Sequence, residues 1–266
     1  MSTPLLATES LTVRFGGHVA VDRVTCAFEA GTLTAIVGPN GAGKTTYFNL
    51  ISGQRPASEG RVRLQGQDLS ALPAPLRTRR GLGRAFQLTQ LFPNLTALEN
   101  VRLAVQAREQ GRGREGGLRL VGGIDFFRVW LDRRDWLDEA QALLAQVRLE
   151  AKAGLPVAAL PHGDQRKLEV ALLMALDPLV YMFDEPTAGM SVDEVPVVLE
   201  LIRALKDRRD RCILLVEHKM DVVSELSDRI VVLHNGQLVA DGEPAAVIAS
   251  PVVQQAYLGM AAEEPA

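Results

Sequence analysis

Gly38-Pro-Asn-Gly-Ala-Gly-Lys44-Thr45 is the stretch that decides the fold. It fits G-x-x-x-x-G-K-[ST], the pattern of a phosphate-binding loop. In a chain of this length and average composition, a chance match arises in about 1% of cases. The flanks sharpen it. Leu33 to Val37 is a short apolar run and predicts a buried strand, and Lys44 to about Ser52 has a helical pattern. Strand, glycine loop and helix in that order turn backbone N–H groups onto an anion and add the partial positive charge of a helix start. Lys44 is placed to reach the β- and γ-phosphates of a nucleoside triphosphate. Thr45 is placed to ligate Mg²⁺, and Thr46 to help hold the α-phosphate. The remaining loop residues, Gly38, Pro39, Asn40, Gly41, Ala42 and Gly43, supply the cradle.

Such a loop needs a carboxylate for the metal. Leu179-Val-Tyr-Met-Phe-Asp184-Glu185 offers two at the end of an apolar strand. Asp184 is the expected Mg²⁺ partner, and Glu185 is placed to polarise a water. Further out, Leu11–Phe15 and Val19–Phe28 read as strands, and Gly60–Leu69 as a strand pair. Helical patterns cover Ala97–Arg108, Asp132–Val147, Asp164–Leu176 and Val195–Leu205. Cys212–Val216 reads as a buried strand, and Asn235-Gly236 as the turn of a hairpin between Ile230–Leu233 and Gln237–Ala240. Short buried strands alternating with helices predict an α/β fold with a largely parallel sheet. The Gly- and Arg-rich stretch 110–123 reads as a mobile loop.

The 266 residues carry 29 Lys and Arg against 32 Asp and Glu, a net charge of −3. That balance excludes a chain whose affinity comes mainly from nucleic-acid phosphates, and no nucleic-acid partner is expected. Two cysteines, Cys26 and Cys212, are too few for a metal cage and read as buried apolar residues. No apolar run approaches the roughly 20 residues of a membrane helix, and Met1–Thr8 lacks the features of a signal peptide. The chain is expected on the cytoplasmic side, reaching a membrane only through a partner.

Taken in order, these motifs resemble the ATP-binding subunits of ABC transporters, from about residue 5 to residue 260. Gln87, in Arg-Ala-Phe-Gln87, matches that family's Q-loop glutamine, which senses Mg²⁺ and water. Leu160-Pro-His-Gly163-Asp164-Gln165 matches the signature region, and Asp184-Glu185 matches the Walker B carboxylate followed by the catalytic glutamate. His218, in Val-Glu-His218-Lys-Met, matches the switch histidine. Phe15 falls where an aromatic stacks on adenine. The resemblance implies an α/β P-loop NTPase of the ABC cassette type. It has a RecA-like core, an N-terminal antiparallel β-subdomain and a helical signature subdomain. The core lobe is expected over about 5–88 and 157–243, and the helical lobe over 89–156 with the signature helix 160–176. A C-terminal tail follows over 244–266.

The resemblance further implies that Lys44, Glu185, His218 and Gln87 are catalytic and that Thr45, Gln87 and Asp184 serve the metal. Phe15, residues 38–46, Gly163, Asp164 and Gln165 contact ATP. Two such cassettes close head-to-tail on two ATP molecules. Partners are then integral-membrane permease subunits, a second cassette and a separate substrate-binding protein. A heterodimer is the expected pairing and a homodimer its alternative. The site is at the cytoplasmic face of the cell membrane, peripherally, through the permease.

Two positions depart from the family. Pro161 stands where serine usually donates a hydroxyl to the γ-phosphate, and Ser191 stands where the D-loop usually has Asp. With no hydroxyl and no N–H at Pro161, the anion is expected to be held by the backbone near Gly163 and by the helix dipole. Gly81 to Gln87, Leu91 to Thr96 with Glu99-Asn-Val101, Ala188-Gly-Met190 and Tyr257-Leu-Gly259 look like importers of branched-chain amino acids. The urea importer's cassette shares many of these features and is the alternative, followed by the lipopolysaccharide exporter's cassette. ABC-type ATPases of DNA repair also share the motifs. They need long insertions, and the 76 residues from Gln87 to Gly163 are too few for one.

Overall fold

The computed structural model describes residues 3–85, 91–112 and 134–255. These residues group into two compact units. One comprises 1–84, 178–186 and 202–266, and the other 85–177 and 187–201. The segment 187–201, expected in the core lobe, groups with the helical unit.

The first unit holds two sheets. Strands β1 (Leu6–Phe15), β2 (His18–Phe28), β4 (Glu59–Leu64) and β5 (Gln67–Asp68) form an antiparallel sheet in the order β2-β1-β4-β5. The second sheet runs β10-β9-β3-β8-β7-β6. Its strands are β3 (Leu33–Val37), β6 (Leu82–Ala85), β7 (Val180–Asp184), β8 (Cys212–Val216), β9 (Arg229–His234) and β10 (Gln237–Gly242). β3 pairs in parallel with β8 and β9, and β7 with β8, while β10 turns back antiparallel on β9.

Every residue of β3, β7 and β8 is buried. This is why these strands read as unbroken apolar runs rather than alternating ones. The period of two survives in what each side chain meets. Ile36, Val231 and Leu233 face a core shared with Leu6, Leu11 and Phe28 of the antiparallel sheet and with Phe48 and Ile51 of helix α1 (Lys44–Ser52). Ala35, Val37, Ile230 and Val232 face the opposite side, against Val223 and Val247. At the β9–β10 hairpin, Asn235 and Gly236 both have positive φ, 49° and 76°. Both central positions of a type I′ turn require that sign.

Three helices were not legible in the periodicity: α2 (Ala74–Arg79), α7 (Met220–Leu226) and α8 (Pro244–Ile248). At five to seven residues each, they are too short to show a face. The last of them lies in what was expected to be a tail.

The second unit is built on α3 (Ala97–Arg112), α4 (Arg134–Gln146) and α5 (His162–Leu176), which pack on one another. Thr96 and Glu99 form a reciprocal capping box at the start of α3. The Thr96 amide donates to the Glu99 carboxylate at 2.7 Å, and the Glu99 amide donates to Thr96 Oγ1 at 3.2 Å. Arg108 ties the three helices together. Its guanidinium donates twice to Glu139 of α4, at 2.7 and 2.8 Å, and once to the Ala175 carbonyl of α5 at 3.1 Å. Residues 110–112, read as the start of a loop, continue α3, and the rest of that loop lies outside the described residues. Helix α6 (Val195–Lys206) starts with Pro196 in its first turn, where a missing N–H costs nothing.

Cys26 and Cys212 are both free and buried. Burial pushes the Cys26 thiol up to about 11 and the Cys212 thiol up to about 12. The folded protein is therefore expected to show no fast reaction with a chromogenic disulfide reagent at neutral pH, with two thiols appearing in denaturant. A fast-reacting thiol in the native protein would contradict this burial.

Candidate functional site

The glycine loop joins β3 to α1. Gly38, Gly41 and Gly43 all have φ in the left-handed region, at 151°, 79° and 96°. A side chain at Gly38 would also collide with the Leu233 carbonyl, so only glycine fits there. Gly43 is the N-cap of α1 and offers no side-chain cap, so the first turn keeps its N–H groups for an anion. Lys44 is 6% exposed. Its ammonium donates to the carbonyls of Gly38 at 2.7 Å and Pro39 at 2.9 Å. Burial lowers the Lys44 pKa, and the charges of Glu185 and Asp184 work against that shift. Pro39 and Ala42 are buried, Asn40 and Gly41 are exposed, and Thr45 and Thr46 are half-buried in the first turn.

Asp184 ends β7, register-paired with Val216 at the end of β8. Its carboxylate is 6% exposed and is bonded to Arg84. Glu185 follows in the left-handed region at φ 52°, its amide donating to the Val216 carbonyl at 2.9 Å. That backbone bends the chain off the strand and sends the Glu185 carboxylate to His218, Oε1 to Nε2 at 2.6 Å. His218 lies just beyond β8. Its own amide donates to the Glu217 carboxylate at 2.8 Å. Glu217 is 3% exposed and also takes the Lys219 amide at 3.5 Å, so it fixes the turn that presents His218. Phe15, at the end of β1, is 41% exposed, and the Arg55 guanidinium covers its ring at 4.7 Å. Gln87 lies outside the described residues. The structure thus brings together Lys44, Asp184, Glu185 and His218. Arg84 and Glu217 were missed because a lone Arg or Glu carries no pattern; each acquires meaning only from its bonded neighbours.

The signature segment belongs to the second unit. Pro161 is the N-cap of α5 rather than a residue inside its first turn, at φ −55° and ψ 155°. Asp164 and Gln165, expected to contact ATP, are committed to local partners. The Asp164 carboxylate bonds Lys152 and Lys167, and those bonds lower its pKa although burial alone would raise it. Gln165 donates its amide to the Leu160 carbonyl at 2.9 Å. Glu194 lies directly over Gly163, where an added Cβ would run into its carboxylate. It accepts from Ser191 Oγ at 3.0 Å and pairs with Lys167 at 3.4 Å.

A glycine loop between a buried parallel strand and a helix, with an acidic pair at the end of a second strand of the same parallel sheet, defines a P-loop nucleoside triphosphatase. The family model described as ABC transporter matches residues 21–188. BraF, a high-affinity branched-chain amino acid transport ATP-binding protein of Pseudomonas aeruginosa, is 38% identical over 261 residues. The match covers 98% of this chain and 100% of BraF. LivG, the protein of the same description from Escherichia coli, gives the same identity and coverage. Among solved structures, the ADP conformation of MJ1267, an ATP-binding cassette of an ABC transporter, superposes with a TM-score of 0.79. It is 27% identical, and the match covers 97% of this chain and 100% of that one. The chain belongs to the ABC transporter family, as one of its ATP-hydrolysing ATP-binding subunits. No described helix is long and apolar enough to cross a membrane.

Proposed function

We propose that this chain hydrolyses Mg-ATP to power import of branched-chain or other hydrophobic amino acids. It would act at the cytoplasmic face of the membrane, with permease subunits, a second cassette and a separate binding protein. End-to-end identity of 38% to BraF and LivG carries the substrate class. The Glu185–His218 contact beside Asp184 and Lys44 supports the chemistry.

The residues suit Mg-ATP. Asp184 and the Thr45 hydroxyl are hard oxygen donors, and among the described residues no cluster of three or more His, Cys, Asp or Glu could hold a metal alone. A metal held by few protein groups and completed by phosphate oxygens is the usual arrangement for Mg²⁺. When bound, Mg²⁺ neutralises charge on the β- and γ-phosphates. Lys44 would turn from its own loop carbonyls to those phosphates and Phe15 would stack on the base, while the metal role expected of Gln87 lies outside the described residues. Glu185 orients that water and takes its proton, with His218 holding the carboxylate in place. The backbone at Gly163, in place of the missing serine hydroxyl, meets the γ-phosphate of the other cassette's ATP.

Gly163→Ala tests that last role. The new methyl meets the movable end of Glu194 rather than backbone, so the variant is expected to melt within a few degrees of wild type. Its ATPase activity is expected to fall at least tenfold while nucleotide binding persists. Full activity in a folded Gly163→Ala would remove the backbone at Gly163 from the site.

The substrate class is tested by uptake of labelled leucine and labelled urea in cells lacking the gene, rescued by wild type or Lys44→Ala. Loss of leucine uptake rescued by wild type alone is the expected result. Loss of urea uptake alone would replace this reading with the short-amide importer. No change in either would reject both.

A further inference from the structure

Arg84 is a buried cation placed against the Walker B carboxylate. It comes from β6, its side chain is 6% exposed, and Nη2 donates to Asp184 Oδ2 at 2.5 Å. The rest of the guanidinium is held from the other side. Nη1 donates to Asn49 Oδ1 at 2.7 Å, Ser52 Oγ at 3.1 Å and Gln54 Oε1 at 3.2 Å. Asn49 and Ser52 belong to the last turn of α1, the negative end of that helix's dipole. The Phe48 ring lies 5.4 Å from the guanidinium carbon. Nε is buried and finds no acceptor among the described residues.

The fork is therefore set by three neutral acceptors, two on the last turn of the phosphate-loop helix and Gln54 just beyond it, independently of Asp184. A planar guanidinium pinned this way presents one N–H in a fixed direction, which a lysine ammonium on a flexible stem does not. An arginine whose Nε is left unpaired is a costly way to fill a core position, and a Leu or Met would pack there without that cost. What Arg84 adds is a fixed orientation for the Asp184 carboxylate.

We infer that Arg84 is a positioning residue for the metal: it holds one oxygen of Asp184, leaving the other as the oxygen presented to the Mg²⁺ of the bound nucleotide. This rests on the reading of Asp184 as the metal carboxylate. Without Arg84 the carboxylate is free to rotate, and the metal must pay the ordering that the guanidinium now supplies.

The test uses the full chain with saturating ADP, titrated with Mn²⁺ as a spectroscopic substitute for Mg²⁺ and read by the electron paramagnetic resonance signal of free Mn²⁺. Metal-free ADP affinity in a chelator and the melting temperature are measured on the same samples. Arg84→Met is expected to weaken Mn²⁺ binding at least tenfold, and Arg84→Lys to weaken it about threefold. Metal-free ADP affinity is expected to stay within twofold for both. Arg84→Lys, which keeps the charge, carries the test if Arg84→Met does not fold. Asp184→Asn separates the two levels. If Asp184→Asn weakens Mn²⁺ binding while the Arg84 variants bind it as wild type does, the inference about Arg84 fails and the reading of Asp184 stands. If Asp184→Asn binds Mn²⁺ like wild type, the reading of Asp184 fails and this inference with it. An equal loss of metal-free ADP affinity and Mn²⁺ affinity would show a structural role alone and overturn the inference.

Discussion

Glu185→Gln is expected to cut steady-state ATP hydrolysis by about a hundredfold or more, the usual contribution of a positioned general base. Nucleotide affinity is expected to stay within about threefold of wild type, because the loop and Lys44 that hold the phosphates are untouched. The geometry supports the separation. The Glu185 carboxylate lies 2.6 Å from His218 Nε2, and the Glu185 backbone amide donates to the Val216 carbonyl at 2.9 Å. Gln keeps the shape and one acceptor oxygen but cannot take a proton at neutral pH. It also inherits the same left-handed backbone, a conformation that costs a side-chain-bearing residue about 1–2 kcal/mol. Stability is therefore expected to change by less than about 0.5 kcal/mol. Phosphate release and binding of a fluorescent ATP analogue, measured on one preparation, check both halves. Wild-type turnover in this variant would show that Glu185 is not the base. If two cassettes close on ATP as proposed, the trapped state is expected to favour the ATP-bound dimer, because hydrolysis would be what removes the bridge.

Arg77→Leu is expected to destabilise the phosphate-binding unit by about 3–5 kcal/mol. Arg77 is 2% exposed. It donates Nη1 to the carbonyls of Leu50 and Ile51, both at 2.7 Å, Nε to Leu72 at 2.8 Å and Nη2 to Ser70 at 3.0 Å. Leu50 and Ile51 lie in the last turn of α1, whose carbonyls have no partner within the helix. Gly53 then turns the chain at φ 77°, tight against the Arg77 side chain. One guanidinium thus closes the end of the helix whose other end holds the phosphate loop. Leucine fills part of the volume and leaves the buried carbonyls of Leu50 and Ile51, and the part-buried ones of Leu72 and Ser70, without the guanidinium donor. Burial lowers the Arg77 pKa, with Asp68 opposing it, so the charge itself is held at some cost. At about 2–4 °C per kcal/mol for a chain of this size, the melting temperature is expected to fall by roughly 10 °C. Thermal unfolding followed by circular dichroism measures it. A fall of 2 °C or less would mean that water replaces the guanidinium at those carbonyls.

Much of the fold was legible because its deciding signals are local. β3, α1 and β8 run over the residues their patterns indicated, since a five-residue apolar run bounded by polar residues or glycine leaves few alternatives to a buried strand. The Asn235-Gly236 hairpin was readable because both residues tolerate positive φ and few others do. The cluster proposed to be catalytic was readable for a related reason: Lys44, Asp184 and Glu185 each sit at or near a strand end. Gly111 in a Gly- and Arg-rich stretch argues for a loop, yet α3 continues to Arg112.

The sequence by itself determined the class of protein, the phosphate loop, the acidic pair and the alternation of strand and helix. Each rests on backbone preferences and side-chain chemistry within a few residues of one another. Only the tertiary structure decided how charge is distributed around them. Arg84 meets a carboxylate 100 positions away, Arg77 closes a helix 26 positions earlier, and Asp164 turns to two lysines rather than outward. A buried charge takes whatever partner the packed chain brings within about 3 Å. No local pattern encodes that partner, because it is chosen by the pairing of strands and helices far apart in the chain.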